Sequence, residues 1–352
     1  MVKRLAFVVP GDLAAATGGY GYDRQIIAGL RTLGWQVDVV NPGDGFPFPA
    51  SETLREAQEM LLAIPRDAVV VIDGLAMGVM PEAAQRLSLT HHLVALVHHP
   101  LALELGLTAE QSAALAVQER AALAAARHVI VTSPATARTL SADFAVAPER
   151  ITVVLPGTAR APAASGSTDG IVRLVAVGSV IPRKGFDVLV DALARVKGLP
   201  WHLSIAGDTT RDSATATALK QQINRLELAD RITMLGTLSA EALDRVYGES
   251  DAFVLASHYE GYGMAYAEAL SHGLPVLGTT GGAISDTVPP EAGILVEPGN
   301  SHDLAQALSV LILDAQRRAE FAAGARTAAA RLPTWVESSA LFSAALNRTR
   351  TE

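Results

Sequence analysis

Two glutamates and two glycines stand together in a stretch that is otherwise mostly apolar or small, SHYEGYGMAYAEALSHGLPVL at 257–277. Glu260 and Glu268 are eight positions apart, and Gly261 and Gly263 follow the first of them. Glycine permits sharp turns and lets a ligand approach the main chain. A carboxylate accepts two hydrogen bonds at once, which suits the diol of a ribose, and dinucleotide sites use an acidic residue in this way. These residue types indicate a nucleotide site.

The surrounding pattern predicts a strand, a short loop and a helix that starts near Gly263. Glu260 then projects from the carboxyl end of the strand, and Glu268 lies one to two turns along the helix. The N–H groups of about Gly263 and Met264 lack partners within the helix and can hold a phosphate. A plainer interpretation stays open, because acidic residues stabilise helix starts and glycines are ordinary turn residues.

The whole chain alternates short β-branched runs with Ala/Leu-rich helical segments, which predicts parallel sheets with helices on both faces. The pattern breaks at the Pro/Gly/Ala/Ser-rich stretch 156–170 and then restarts. We therefore predict an α/β protein with two Rossmann-like, doubly wound domains, 1–160 and 171–333, and a helix over 334–352 that crosses back onto the first domain. Ligands bind at the carboxyl ends of such strands, so we expect a site in a cleft between two facing domains.

The predicted strands are 5–9, 36–40, 68–72, 93–97, 128–132, 174–178, 202–206, 231–235, 252–256 and 275–279. Helix candidates in the first domain include 20–33 and 110–127. Those in the second domain are about 185–196, 213–228, 239–247, 263–272 and 302–330.

Composition narrows the class of protein. The 352 residues carry a net charge of −8 and no basic run, which argues against a nucleic-acid partner. The absence of cysteine excludes disulfides, thiolate metal sites and a cysteine nucleophile. We expect the N-terminus to be a first strand rather than a signal peptide, and no apolar run reaches the ~18 residues of a membrane span. Residues 1–160 hold 12 basic and 15 acidic residues, so nothing in bulk supports peripheral membrane contact, and we expect a cytoplasmic protein.

Cations and histidines at other predicted strand ends add candidates. Lys184, one of four lysines, follows the strand at 174–178 and is either a solvated cation or a point charge on a departing diphosphate. His98 and His99 close the strand at 93–97. A metal site made of these two and the pair at 91–92 is excluded, because a five-residue strand separates the pairs by too great a distance. The segment FPFP at 46–49 is either an apolar acceptor patch or a rigid turn, and we favour the turn.

Several ordered motifs together resemble glycosyltransferase family 4, whose members are retaining enzymes of the GT-B fold. EGYGMAYAEAL followed by SHGLPVLGTTGGAISD is similar to the family's donor-site signature. The resemblance extends over both domains and includes GSVIPRKGFDVLVDAL at 178–193, IAGD at 205–208, LGTLS at 235–239 and AGILVEPGN at 292–300. It implies the GT-B fold.

The resemblance also implies roles for individual residues. Glu268 binds the ribose of a nucleotide sugar, Glu260 lies beside the transferred sugar, and Lys184 meets the leaving diphosphate. Main-chain groups of Tyr262, Gly263 and Met264 hold sugar hydroxyls and phosphate, Leu238 contacts the base through its backbone, and the amides of Gly18 and Gly19 approach the diphosphate. His98 faces the donor sugar, with His99 as the alternative if the alignment is off by one, and Glu104 helps to bind the acceptor.

This chain departs from the family at one position. Many members have arginine five residues before the lysine, whereas this chain has Ser179. We hypothesise that Arg183 takes over the role, or that Ser179 and backbone amides suffice.

The resemblance implies a retaining, metal-independent transfer from a nucleotide-diphosphosugar, a co-substrate rather than a cofactor, to an acceptor hydroxyl. A phosphate oxygen would take the proton. No Asp-x-Asp motif is present, which agrees with a site that needs no metal. The acceptor would be a small molecule, a glycan or a lipid-linked compound. Two alternatives stay open: a GT-B-fold sugar-nucleotide 2-epimerase, and a non-catalytic sugar-nucleotide-binding partner that only the change at Ser179 supports.

Overall fold

The computed structural model describes residues 3–15 and 17–351, without the side chains of residues 349–351. The chain forms two compact units. The first runs to Gly157 and includes the segment from Pro333 onward, and the second is Thr158–Leu332. The expected cleft between the two units stays a prediction.

The first unit is built on a parallel six-stranded sheet. Its strands are β1 (Lys3–Val8), β2 (Trp35–Val40), β3 (Val69–Asp73), β4 (Leu93–Val97), β5 (His128–Val131) and β6 (Ile151–Val153). Its helices are α1 (Gly18–Thr32), α2 (Ser51–Leu62), α3 (Gly74–Met77), α4 (Pro81–Ser88), α5 (Ala109–Ala125) and α6 (Pro134–Asp143). The strand order β2-β1-β3-β4-β5-β6 reverses direction between β1 and β3, the place where doubly wound sheets bind ligands.

The second unit repeats this architecture. Its strands are β7 (Val172–Val177), β8 (Trp201–Ala206), β9 (Ile232–Gly236), β10 (Ala252–Val254), β11 (Val276–Thr279) and β12 (Gly293–Val296). Its helices are α7 (Phe186–Arg195), α8 (Ser213–Arg225), α9 (Ala240–Gly248), α10 (Met264–Ser271), α11 (Ile284–Thr287), α12 (Ser301–Leu313) and α13 (Ala315–Ala329). The order β12-β11-β10-β7-β8-β9 reverses between β10 and β7.

Burial explains why these segments form strands. Every residue of β3 and β4 is buried, as expected of parallel strands covered by helices on both faces, and their sequences are continuous apolar runs. Helix α1 instead buries one stripe that includes Tyr22, Ile26 and Leu30. Side-chain caps fix the helix starts, for example Thr17 at α1 and Thr108 in a capping box at α5.

The last helix, α14 (Trp335–Thr351), packs on the first unit. Phe342 stacks on Phe7 with ring centroids 6.2 Å apart, and the Trp35 indole N–H donates to Ser343 Oγ at 2.9 Å. Glu352, the last residue of the predicted C-terminal helix, lies outside the described residues.

The prediction of two doubly wound α/β domains is confirmed, with local differences. The single helix predicted over 302–330 is wrong: it is two helices, because Asp314 has a non-helical ψ of 90° and its side chain accepts a hydrogen bond from Arg317 N to start α13. Strands β6 and β12 were not predicted, since they are short and only partly buried. The alternating pattern implied further helices between the strands of the first unit without giving their bounds, and the structure has α2, α4 and α6 there.

In the described part of the chain, every helix is too short or too polar to span a bilayer.

Candidate functional site

The switch point of the second sheet carries the charged residues of the predicted donor site. Strands β7 and β10 are hydrogen-bonded neighbours, with Leu174 opposite Ala252. Lys184 follows β7 and Glu260 follows β10, so both leave the sheet at its carboxyl edge. The topology thereby brings together two residues that are 76 positions apart in the sequence.

Glu260 is the centre of this cluster. Its carboxylate accepts hydrogen bonds from Lys184 Nζ at 2.6 Å, Ser257 Oγ at 2.6 Å and the Arg183 guanidinium at 3.1 Å. Burial alone would raise the pKa of Glu260, but the two cations and the hydroxyl outweigh it and lower that pKa to about 2. The side chain is 5% exposed. Glu260 is therefore a carboxylate that is ionised at neutral pH and has hydrogen-bond partners on both oxygens.

The two cations are held in place on a short 3₁₀ turn at 182–184. The Arg183 guanidinium also donates to the Tyr259 carbonyl oxygen at 2.8 Å. Burial lowers the pKa of Lys184, and Glu260 partly offsets this effect. The turn ends at Gly185, which has a φ of +60° and lies so close to the Ala256 carbonyl that a side chain would not fit.

The glycine pair of the TTGGA segment fixes the main chain of Glu260. Glu260 N donates to the Gly281 carbonyl at 3.3 Å, and Ala283 N donates to the Glu260 carbonyl at 2.8 Å. Gly282 has a φ of +69°, and a side chain there would overlap the Glu260 carbonyl. The Gly-Gly turn therefore positions the glutamate from the neighbouring strand end.

Helix α10 starts four residues after Glu260. Gly263 is its N-cap in the left-handed region, with φ +89° and ψ 58°, which explains a glycine there. Met264 is the first helical residue, and the first N–H groups of a helix have no partner within it. The Tyr262 carbonyl already accepts from Thr287 Oγ1 at 2.9 Å. The N–H groups, more than the carbonyl, are thus the groups that suit an anion.

Glu268 lies on α10 with one oxygen already engaged. The buried Tyr247 hydroxyl donates to Glu268 Oε2 at 3.1 Å. Burial raises the pKa of Glu268 to about 7, and this hydrogen bond opposes the shift. Tyr247 in turn stacks on His272, with ring centroids 5.0 Å apart, and His272 Nε2 is 3.4 Å from Asp244 Oδ1. The buried Tyr247 hydroxyl therefore orients Glu268, and the stacked His272 ring, which faces the exposed Asp244, supports Tyr247.

Two further predicted donor residues lie on loops at the same edge of the second sheet. Ser179 follows β7, where its carbonyl accepts from Ile181 N at 3.0 Å. Leu238 is partly buried between β9 and α9, next to Ser239, which caps α9.

In the first unit, His98 lies between two buried aspartates. Its Nε2 is 3.3 Å from Asp23 Oδ1 on α1 and 3.2 Å from Asp73 Oδ2 at the end of β3. Burial alone would lower the pKa of His98, but the carboxylates, Asp23 above all, raise it to about 10. Burial raises the pKa of Asp23 to about 6, although His98 opposes this. His98 is therefore an imidazolium at neutral pH.

Among the described residues, the side chains of His98, Asp23 and Asp73 could together hold a cation. Their ligand atoms lie within 4.8 Å of one another, and two carboxylates with one imidazole suit a divalent ion. Without a bound cation, an imidazolium at His98 faces two carboxylates, and His98 Nε2 and both Asp23 carboxylate oxygens are buried without a well-aligned hydrogen bond.

The remaining first-unit candidates lie around this cluster. Gly18 and Gly19 are the first residues of α1 rather than a loop, and Gly19 packs against the His98 ring. His99 Nε2 is within hydrogen-bond distance of Glu104 Oε2, at 2.8 Å, and His98 is the histidine that lies next to the two aspartates. Segment 46–49 does form a turn, with Phe48 N donating to the Gly45 carbonyl. The turn also lines an apolar pocket of about 340 Å³ with Val79 and α5.

Sequence reasoning missed the partners that hold the predicted residues. These are Asp23, Asp73, Ser257 and Tyr247. Asp73 directly ends a predicted strand, the same signal that identified His98. Asp23 is four residues after Gly19, so it lies on the same face of α1. Ser257 carries the same signal, because it directly follows the predicted strand 252–256, whereas Tyr247, inside a helical segment, carries none.

Comparison with known proteins agrees with this architecture. The family model described as glycosyl transferases group 1 matches residues 160–328, which is nearly all of the second unit. D-inositol 3-phosphate glycosyltransferase of Stackebrandtia nassauensis is 30% identical over 206 residues, 53% of this chain and 46% of that protein. The chain spans about half the length of the curated relatives that it matches at this level.

Solved structures match over almost the whole chain. Sucrose-phosphate synthase from Thermosynechococcus elongatus has a TM-score of 0.83 at 22% identity and covers 99% of both chains. Anabaena HepE in complex with UDP-glucose has a TM-score of 0.76 at 19% identity, covering 98% of this chain and 99% of that one. These structural similarities establish the GT-B fold.

Proposed function

We infer that this chain, a GT-B member of the glycosyl transferases group 1, transfers a sugar from a nucleotide-diphosphosugar to an acceptor hydroxyl. The observation that carries the proposal is the buried cluster of Glu260, Lys184 and Arg183 at the switch point of the second sheet. Relatives whose names state glycosyl transfer, and a similar structure that holds UDP-glucose, support the donor class. We place the chain in family 4, with retention of configuration and no requirement for a metal.

The second unit would bind the donor through three features. The N–H groups at the start of α10 and the Lys184 ammonium suit the two phosphates. Glu268 would accept hydrogen bonds from the ribose hydroxyls, since Tyr247 engages only one of its oxygens. The backbone of Leu238 would contact the base. Each group lies on a loop or helix that follows the carboxyl end of a strand, where sheets of this type bind ligands.

The fixed charges suit a reaction that builds positive charge on the sugar and negative charge on the leaving diphosphate. Lys184 is held rigidly by Glu260 and could stabilise the diphosphate as the bond breaks. The ionised Glu260 would favour positive charge developing nearby. A phosphate oxygen, on the face that the acceptor approaches, would take the acceptor proton.

For His98 we propose a hydrogen bond to the transferred sugar. An imidazolium donates protons to hydrogen bonds and is a poor base, so its role would be to orient the sugar rather than to activate the acceptor. Asp23 and Asp73 would keep His98 in this form.

A panel of nucleotide-diphosphosugars tests the donor proposal. The uridine, guanosine and adenosine compounds are added to the whole chain, and thermal unfolding is followed. A donor at 100 times its dissociation constant should add ~2.7 kcal/mol of stability. The Glu268→Gln variant, similar in shape, should lose most of this gain. If no member of the panel stabilises the protein, the proposal fails.

The product tests the chemistry. With the selected donor and an acceptor hydroxyl, NMR of the new glycosidic bond should show the anomeric configuration of the donor, and EDTA should leave the rate unchanged. An inverted product would contradict retention, and a rate abolished by EDTA and restored by a divalent ion would contradict metal independence.

A further inference from the structure

The second unit holds less positive charge at the proposed donor site than a diphosphate needs. Lys184 and Arg183 both pair with Glu260, so these three groups carry a net charge of only plus one. The diphosphate of a nucleotide sugar carries two negative charges at neutral pH. A further cation is therefore needed to match the ligand.

Neither residue named from the sequence supplies that charge. Ser179 is neutral. Arg183 is only 18% exposed and donates to Glu260 and to the Tyr259 carbonyl, so its release would leave two acceptors without this donor. Leaving buried polar groups unpaired is costly, which makes a swing of Arg183 toward the phosphates unfavourable.

The segment around Ser179 runs directly beside the loop that follows β8. Gly178 N donates to the Ala206 carbonyl at 2.9 Å, and Val180 N donates to the Asp208 carbonyl at 2.8 Å. Gly207 packs so closely on the Gly178 carbonyl that it has no room for a side chain. The loop after β8 and the segment 178–180 therefore form one surface at the carboxyl edge of the sheet.

Arg211 is the cation on that loop. Its side chain is exposed. In the described part of the chain its guanidinium makes no side-chain hydrogen bond. Its charge and its backbone N–H do help to lower the pKa of Asp208 on the same loop, after the larger effect of the hydrogen bonds from Thr210. The neighbouring carboxylates have partners of their own, since Asp208 accepts from Thr210 and Asp212 accepts from Thr215. These bonds also fix the turn that carries Arg211.

Arg211 also lies within electrostatic range of the cluster. Burial and the charge of Arg183 lower the pKa of Lys184 most, Glu260 opposes them, and the charge of Arg211 adds a smaller lowering effect. A ligand anion that neutralises Lys184 would therefore lie within range of Arg211 as well.

We propose that Arg211 is a diphosphate-binding residue that supplies, from the loop after β8, the second cation that Ser179 does not provide. This inference rests on the proposed function, because it concerns the same donor. A planar guanidinium on an ordered, exposed loop suits bidentate binding of a phosphate.

Calorimetric binding of nucleoside diphosphate and monophosphate to the whole chain tests the proposal. The base is the one that the donor panel selects. Arg211→Ala should weaken diphosphate binding about ten-fold or more, the size of one charge-assisted hydrogen bond, and should change monophosphate binding much less. Arg211→Lys should lose less affinity than Arg211→Ala, because it keeps the charge but not the bidentate geometry.

Arg225→Ala is the matched control. Arg225 is also exposed and lies in the last turn of α8. Replacing it by alanine changes the net charge by the same amount as Arg211→Ala. Its diphosphate affinity should equal that of the wild type. Melting of all three arginine variants without ligand should stay unchanged.

The outcomes separate this inference from the proposed function. If Arg211→Ala binds diphosphate like Arg225→Ala while Glu268→Gln weakens it, Arg211 is not a ligand and only the inference falls. If Arg211→Lys is as weak as Arg211→Ala, the charge is not the cause, and the inference is again overturned. If the wild type binds no nucleotide at all, the proposed function falls first.

Discussion

Replacing Glu260 by glutamine should cost the second unit more stability at neutral pH than in acid. The carboxyl pKa falls from an ordinary 4.5 to about 2 in the folded protein, so ionised Glu260 stabilises the fold above pH 4.5. A shift of this size corresponds to about 3 kcal/mol. That contribution is lost as the pH falls from 4.5 toward 2. Glu260→Gln removes it at every pH and also leaves Lys184 and Arg183 without their counter-charge.

Urea unfolding of both proteins from pH 7 to pH 3 measures this difference, with hydrogen exchange of the β7 and β10 amides to report the second unit. The difference in the free energy of unfolding between wild type and Glu260→Gln should be largest at pH 7. By pH 3 the wild type should have lost more than half of the stability that ionised Glu260 contributes, and the difference should be smaller by that amount. Glu227→Gln is the matched control, because Glu227 forms an equally short ion pair with Lys197 on the surface and should give no comparable gap. A Glu260→Gln gap that stays constant from pH 7 to pH 3 would refute the reasoning.

Three further outcomes follow from the second unit. Gly185→Ala should destabilise it by more than about 1 kcal/mol in calorimetric melting, because the positive φ and the Ala256 carbonyl leave no place for a methyl group; an unchanged melt would contradict this. Tyr247→Phe should weaken donor binding about three- to ten-fold by calorimetry, since Glu268 loses the hydroxyl that orients it, and an unchanged affinity would remove that role. Because the pKa of Glu268 is about 7, donor affinity should rise from pH 6 to pH 8 as the carboxylate ionises, whereas Glu268→Gln should give a flatter profile; two equally flat profiles would rule this out.

The sequence predicted the architecture well because buried parallel strands leave a strong pattern. Runs such as residues 93–97 are apolar throughout and fully buried, and Gly/Pro-rich segments separate them. Short, half-buried strands carry little of that signal, and β6 went unpredicted for this reason. The break between α12 and α13 depends on the capping of one residue, Asp314, inside a long helical pattern.

The candidate site was predictable in its residue types but not in its pairings. Glu260 and Lys184 were each found as polar groups at strand ends, yet nothing local in the sequence says that β7 and β10 are neighbours. The switch point decides that contact, and with it the pKa of the glutamate. In the same way His98 was predicted alone, whereas the helix and strand that carry Asp23 and Asp73 determine its charge.

The buried cluster of Glu260 is better explained by its function than by stability. Ion pairs inside proteins gain little over apolar packing, because removing both charges from water is costly. The ion pair between Glu260 and Lys184 fixes a long, flexible lysine side chain before any ligand binds. Ser257 and the Gly281–Gly282 turn hold Glu260 in place. The entropy of immobilising Lys184 is then lost on folding rather than on binding the donor, which favours tight and well-oriented contact with a leaving group. Pairing with Glu260 also neutralises part of the positive charge of Lys184 and Arg183. For this reason we expect the loop after β8 to supply a second cation to the diphosphate.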